Sequence, residues 1–251
     1  MIKVFIVSLS TSPRRSYIEK KCRDNNIEFE FIDAVNGKNL SRDFVLKINK
    51  LSWTRDKYKR ELGESEIGCS LSHHKIYERI KDDNDWFIIL EDDVSFGKDI
   101  NSLIHVDLNK SNFEPSSLYL LGGQNGLDSF KHVIFSKFGK EKISEDLFFY
   151  KTLFSERFLF RTCCYLIHSD LAKKILLFNG DKITLADDWY NLSKYKVINN
   201  MYYADIIDHP SNIYDSLIDA ERKAFSNKNQ SIFWGLLKKI ALTSRKLLRF
   251  L

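Results

Sequence analysis

Short apolar runs alternate with stretches of helical period along most of this chain, and that alternation limits the folds open to it more than any other feature. The segments IKVFIVSL at residues 2–9, EFEFIDAV at 28–35, WFIIL at 86–90, SSLYLL at 116–121 and TCCYLIHS at 162–169 read as strands, with YKVINNMYYADII at 195–207 as a late one. TSPRRSYIEKKCRDNN at 11–26 has the Ser before Pro that opens a helix. GESEIGCSLSHHKIYERIKDD at 63–83 sets Ile67, Leu71, Ile76 and Ile80 near helical spacing, and DLAKKILLFN at 170–179 is amphipathic with an acid near its start. Strand, helix and strand within about 35 residues predict a parallel βαβ unit. The pattern as a whole predicts an α/β sandwich around a mostly parallel central sheet. Residues 122–160 are harder to read, because GGQNGLDS looks like loop and the following 24 residues suit a hairpin or an irregular insertion.

At 251 residues with 43% hydrophobic content the chain can bury a large core as one domain or two. It has no apolar run near the ~18 residues of a membrane span, and the apolar opening is short for a signal peptide, so a cytoplasmic protein is expected. Cys22, Cys69, Cys163 and Cys164 form no CxxC pair, which favours free buried thiols over structural zinc. The formal net charge of +5 is uneven: no acid follows Glu221, whereas Arg222, Lys223, Lys228, Lys238, Lys239, Arg245, Lys246 and Arg249 do. A mildly acidic body with one basic appendage does not suit a general nucleic-acid binder.

The run at 86–90 ends on Glu91, Asp92 and Asp93, and the carboxyl end of a strand in an open α/β sheet is where ligands collect. If the pleat continues, Glu91 and Asp93 share one side while Asp92 takes the other. Two such acids could share Mn2+ or Mg2+, which prefer oxygen ligands and keep positions open for phosphate. The plain alternative is a solvated or turn-capping cluster. His209, after the late strand and before a proline turn, offers a third metal ligand, or is simply a loop residue. His73 and His74 lie about 100° apart on their helix and lack HExxH spacing, so local packing is expected of them. Arg14 and Arg15, just after the first strand, suit a diphosphate or a uracil edge, and equally a solvated helix start. Asp33 and Asn36 end the second strand, a place for base or ribose contacts. Gly122 and Gly123 lack the spacing of a phosphate loop and are expected to turn the chain.

Taken together, Glu66, Ile67, Gly68, Cys69, Leu71, Ser72 and His73, followed by Leu90, Glu91, Asp92 and Asp93, resemble glycosyltransferase family 25, in which an EIGC-x-LSH helix leads to a strand closing in LEDD. VSLSTSPRRS and FIDAVNGKNL resemble that family's opening and its A-V-D/N-G turn, with Ser8 standing where Asn is usual. The likeness runs over roughly residues 1–220. It implies a GT-A-like nucleotide-sugar fold, a UDP-sugar donor and inversion at the anomeric carbon. The nucleotide contacts expected are Ser8, Arg14, Arg15, Asp33, Asn36 and Glu91, from their places at the strand ends, and the metal set expected is Glu91, Asp93 and His209. By the same resemblance, Asp188 in LADDWYNLSKY takes the place of the base that inverting enzymes need opposite the leaving group, with Asp187 as its neighbour. An Asp at a helix start otherwise serves as a cap, worth about 0.5–2 kcal/mol.

In FWGLLKKIALTSRKLLRFL at 233–251, a helical projection gathers Phe233, Leu236, Leu237, Ile240, Leu247, Leu248 and Leu251 on one face and the basic residues opposite, with Leu242 as the misfit. That suits a helix lying on anionic lipid at about 1 kcal/mol per basic residue, or one docked on the body. The division expected is a catalytic domain at 1–221 and a membrane-associating tail at 222–251. The chain as read is a transferase moving galactose or glucose from UDP-galactose or UDP-glucose to a lipooligosaccharide, on the inner face of the bacterial inner membrane. A metal-dependent phosphohydrolase and a non-catalytic glycan-binding protein are the rival readings.

Overall fold

The N-terminal run forms β1 (Lys3–Ser8), and its side chains are buried on both faces because the strand lies inside the sheet. The computed structural model describes residues 1–97, 99–108, 112–209 and Arg245. From β1 the chain passes through α1 (Arg15–Asp24) into β2 (Phe29–Asp33), which pairs in parallel with β1 from Val4↔Phe29 to Ser8↔Asp33. The expected βαβ unit is therefore present. Strand β3 (Trp86–Glu91) lies parallel on the other side of β1.

The full sheet is mixed. Among the described residues its nine strands run β2-β1-β3-β8-β5-β9-β7-β6, with the short β4 (Ser95–Phe96) beside β9. β8 (Cys164–His168) is antiparallel to both β3 and β5 (Leu118–Gly122), and β5 is parallel to β9 (Met201–Asp208). Residues 122–160 contain a hairpin, β6 (Phe135–Lys142) with β7 (Phe148–Thr152), which extends the sheet through β7 and β9. Of the two forms its sequence allowed, the hairpin is the one adopted. It reads weakly because β6 is a lysine-bearing edge with a register shift between Phe135 and Lys140.

Period-two alternation divides the core. Val4, Ile6, Trp86, Ile88 and Leu90 face one layer with Ile18 and Cys22 of α1 and Ile100 and Leu103 of α5 (Asp99–Ile104). Phe5, Val7, Phe87 and Ile89 face the other. There they meet Ile76 and Ile80 of α4 (Glu64–Ile80), Leu171 and Ile175 of α6 (Ser169–Asn179) and Trp189 of α7 (Trp189–Lys194). Each such side chain contributes about 1.5–3 kcal/mol on burial, so covering both faces fixes the register. A third cluster of Ile48, Leu62, Ile67 and Ile183 packs α2 (Arg42–Lys50) and α3 (Ser52–Tyr58) against α4.

No helix among the described residues is long and apolar enough to cross a membrane. The boundary at 221 and the amphipathic tail lie outside the described residues, Arg245 excepted. Its guanidinium donates to the carbonyls of His132 and Phe154 at 2.9 Å each and to Ser155 Oγ at 3.0 Å, and lies 4.7 Å over the Phe158 ring.

Candidate active site

The three acids do not continue the pleat. β3 ends at Glu91, and Asp92 and Asp93 form a turn, so alternation does not govern where Asp93 points. Asp92 is buried and accepts from the Ser8 hydroxyl at 2.6 Å while pairing with Arg14 Nε at 2.8 Å. Asp93 Oδ2 lies 3.5 Å from both Arg14 Nη1 and His209 Nε2. Its Oδ1 is buried with no hydrogen-bond partner. Burial pushes the Asp93 carboxyl up, but hydrogen bonding and charge from His209, joined by Arg14, outweigh it and hold the group below the usual carboxylate range. Glu91 turns elsewhere: Thr162 donates to its Oε1 at 2.6 Å, and His73 Nε2 stands 3.5 Å away. The expected metal set is thus divided, with Asp93 facing His209 and Glu91 facing α4.

Arg14 and Arg15 have separate roles. Arg14 is half exposed above the Asp92–Asp93 turn, whereas Arg15 ties two strand ends together. Arg15 Nη2 donates to the Ser8 carbonyl at 2.9 Å and pairs with Asp33, its Nε reaches Ser8 Oγ at 3.3 Å, and its plane lies 4.6 Å over the Phe31 ring. Asn36 caps a short 3-10 turn by accepting from the Lys38 amide at 3.1 Å.

The second acid pair also divides. Asp188 caps α7: its Oδ1 accepts from the Asn191 amide at 3.3 Å, both oxygens accept from Asn191 Nδ2, and Oδ2 accepts from the Tyr58 hydroxyl at 2.7 Å. Burial, followed by the Asp188 charge, pushes the Tyr58 hydroxyl far above its ordinary value, so it stays a donor. Asp187 Oδ2 instead accepts from the Arg161 amide at 3.1 Å. Because the next residue, Thr162, holds Glu91, Asp187 is joined to the acids at the end of β3 through two consecutive residues. Arg161, with φ 67°, also donates through Nη1 to the Gly123 carbonyl at 2.6 Å. Gly123 has φ 69°, and a Cβ there would lie 2.2 Å from Cys163 Sγ, so the chain must turn at a glycine to reach the side of the site near His209. Arg161 and Thr162 escaped sequence reasoning, since their only local signal is a polar pair leading into an apolar strand.

The family model described as glycosyltransferase family 25 (LPS biosynthesis protein) matches residues 1–190. The chain belongs to glycosyltransferase family 25. A putative glycosyltransferase of Haemophilus influenzae is 32% identical over 107 residues, covering 41% of this chain and 36% of that protein. Procollagen galactosyltransferase 1-B of Xenopus laevis is 32% identical over 127 residues, 47% of this chain and 21% of its own length. The chain thus matches little more than a third of one curated relative and about a fifth of the other. A solved galactosyltransferase in complex with donor and acceptor sugar analogs aligns over 80% of this chain and 73% of its own at 12% identity, with a TM-score of 0.37, a likeness too slight to bear on function.

The motif of this family 25 member has a physical explanation here. Glu66 is buried, clamped by both Arg60 nitrogens at 2.6 and 2.7 Å, and accepts from the Gly63 amide at 3.1 Å. A Cβ on Gly68 would lie 2.8 Å from the Gly37 nitrogen and the Val35 carbonyl, so only glycine lets α4 seat against the turn after β2. Ser72 locks that seat by accepting from the Val35 amide at 2.8 Å. Three of the motif residues therefore build the frame, and Cys69 and His73 face Glu91 from it.

Proposed function

We propose that this chain is an inverting glycosyltransferase that passes galactose or glucose from a UDP-sugar to a lipooligosaccharide acceptor. The observation that carries the reading is the buried, unpartnered Asp93 Oδ1 at the carboxyl edge of the sheet, beside His209 and Arg14. A buried carboxylate oxygen without a donor is costly unless a ligand completes it. Asp93 and His209 fit Mn2+ or Mg2+ and would hold it. Such an ion supplies positive charge for the departing diphosphate. Half-exposed Arg14 presents a second positive group to the same oxygens, while Arg15 and Asp33 hold β1 and β2 in place beneath them.

The acceptor hydroxyl must lose a proton on the face opposite the nucleotide. Asp188, with donors on both oxygens, is committed to its helix, so we assign that proton to Asp187, tied through Arg161 and Thr162 to Glu91. The basic tail, apart from the Arg245 that the body holds, gives the enzyme its place on the cytoplasmic face of the inner membrane, where the acceptor is a lipid.

Incubation with UDP-galactose or UDP-glucose, manganese and a truncated glycolipid tests the reading. Transfer of the hexose with release of UDP is expected. Phosphate release without acceptor would point to the hydrolase, and glycan binding with intact UDP-sugar to a non-catalytic protein. Truncation after Ser231 should free the protein from anionic vesicles. Continued salt-sensitive binding would remove the tail as anchor.

A further inference from the structure

The side of Glu91 turned from Asp93 meets a set of groups that sugar transfer does not use. Cys69 and His73 are four residues apart on α4 and so share one face of it. One ligand atom from each of Cys69, His73 and Glu91 lies within 4.8 Å of the other two. His73 is 1% exposed, and its Nε2, 3.5 Å from Glu91 Oε1, has no hydrogen-bond partner. Its other nitrogen is committed, since Nδ1 lies 2.8 Å from the Tyr165 hydroxyl. Tyr165 gives its own proton to the Tyr77 hydroxyl at 3.2 Å, so Nδ1 is the donor to Tyr165 and Nε2 keeps a lone pair. That lone pair aims at a carboxylate in a buried place, beside a sulfur. Two electron-rich groups so placed repel unless a cation stands between them.

We propose that Cys69, His73 and Glu91 bind one soft divalent cation of the zinc type, with water as fourth ligand. A thiolate, an imidazole and a carboxylate make a zinc set, whereas magnesium and manganese favour oxygen. The Tyr165 contact to Nδ1 is the outer-shell hydrogen bond that orients a metal-binding imidazole. On binding, the Cys69 thiol gives its proton to solvent and its sulfur pair to the ion, so about one proton is released per ion. The ion joins α4 to the end of β3 and holds Glu91 apart from Asp93. Neither CxxC nor HExxH announces this site, because two ligands sit at helical i,i+4 spacing and the third comes from a strand end.

The test is a cobalt titration of the purified full chain, followed by zinc. One cobalt per chain is expected, with the near-ultraviolet thiolate-to-cobalt charge-transfer band and the visible bands of a tetrahedral centre, all displaced by zinc. Cys69→Ser should abolish the thiolate band, and His73→Gln, which removes a direct ligand, should weaken affinity by more than the roughly 10–100-fold that loss of an outer-shell partner costs. Cys163→Ser and Asp93→Asn should leave the spectrum unchanged, the latter separating this site from the ion proposed at Asp93 and His209. Cys69 is only partly buried, so its serine variant keeps the fold, checked by circular dichroism, and carries the test even if His73→Gln does not fold. A missing thiolate band at one equivalent, or one that survives Cys69→Ser, overturns the proposal. Both outcomes are independent of any transfer activity.

Discussion

Asp92–Asp93 and Asp187–Asp188 are the same dipeptide in the same kind of position, a polar turn next to a buried element, yet the structure uses them differently. Asp188 has donors on both oxygens, all from α7 and Tyr58, and Asp92 is filled by Ser8 and Arg14. Asp93 keeps one buried oxygen without a donor. What separates a ligand site from a cap is therefore not the acid but its unused hydrogen-bonding capacity. A saturated carboxylate contributes to stability, and a buried unsaturated one has been left for something else to complete.

The largest effect that could break this contrast is at Asp93. Asp93→Asn should lower transfer by about 1,000-fold, as expected when a group facing developing charge is removed, with thermal stability nearly unchanged. A variant that turns over normally would show that the unpartnered oxygen is no ligand. Asp187→Asn should likewise lose transfer while retaining UDP binding by calorimetry.

The next effect concerns a saturated acid. Arg60→Ala leaves Glu66 charged, buried and short of two donors, so a loss of about 3 kcal/mol is expected. At about 2–4 °C per kcal/mol, that lowers the melting temperature by roughly 6–12 °C. An unchanged melting curve would show that Glu66 draws its support from elsewhere.

Asp188→Ala removes both the cap and the Tyr58 partner, and should cost about 2 kcal/mol. Per folded molecule, transfer should persist. If it is lost while the melting temperature holds, the base is Asp188 after all and the division within the pair is reversed.

How far these differences can be read from sequence depends on the range of the interaction. β1, α4 and β3 follow from period, because each buries a regular set of side chains, and α1 follows from the Ser-Pro that opens it. Helices α2 and α3 do not, since Leu51, with ψ 135°, ends one and begins the other and so breaks the helical repeat after nine residues. At the site, Asp93 and His209 are recognisable as metal-ligand types, and the structure sets them 3.5 Å apart. Glu91 is expected beside them, and that expectation fails because the pleat that would have turned it to the side of Asp93 stops at Glu91 itself. Its actual partners, Thr162 and His73, lie 71 and 18 positions away and carry no local signature.

A second capping residue gives the smallest and finest test of what a saturated cap does. His168 caps α6 as Asp188 caps α7, its Nδ1 accepting from the Asp170 amide at 3.1 Å, so the cap requires a neutral ring. Burial lowers the His168 pKa, while Asp170 and Asp85 pull it upward more weakly. A base held below its ordinary value is protonated first in the unfolded chain, so as pH falls from 7 through about 6.5 the unfolded state gains protons and stability is lost. Asn accepts from the helix amides without titrating, so His168→Asn should keep the cap and flatten the fall in melting temperature between pH 7.5 and 5.5. Some slope remains from His74, whose pKa burial pushes down to about 4. The substitution also removes an edge contact with Trp86 at 5.1 Å, so the curve should sit lower at pH 7.5. A curve shifted down but parallel to the original would assign His168 to packing against Trp86 and not to a titrating cap.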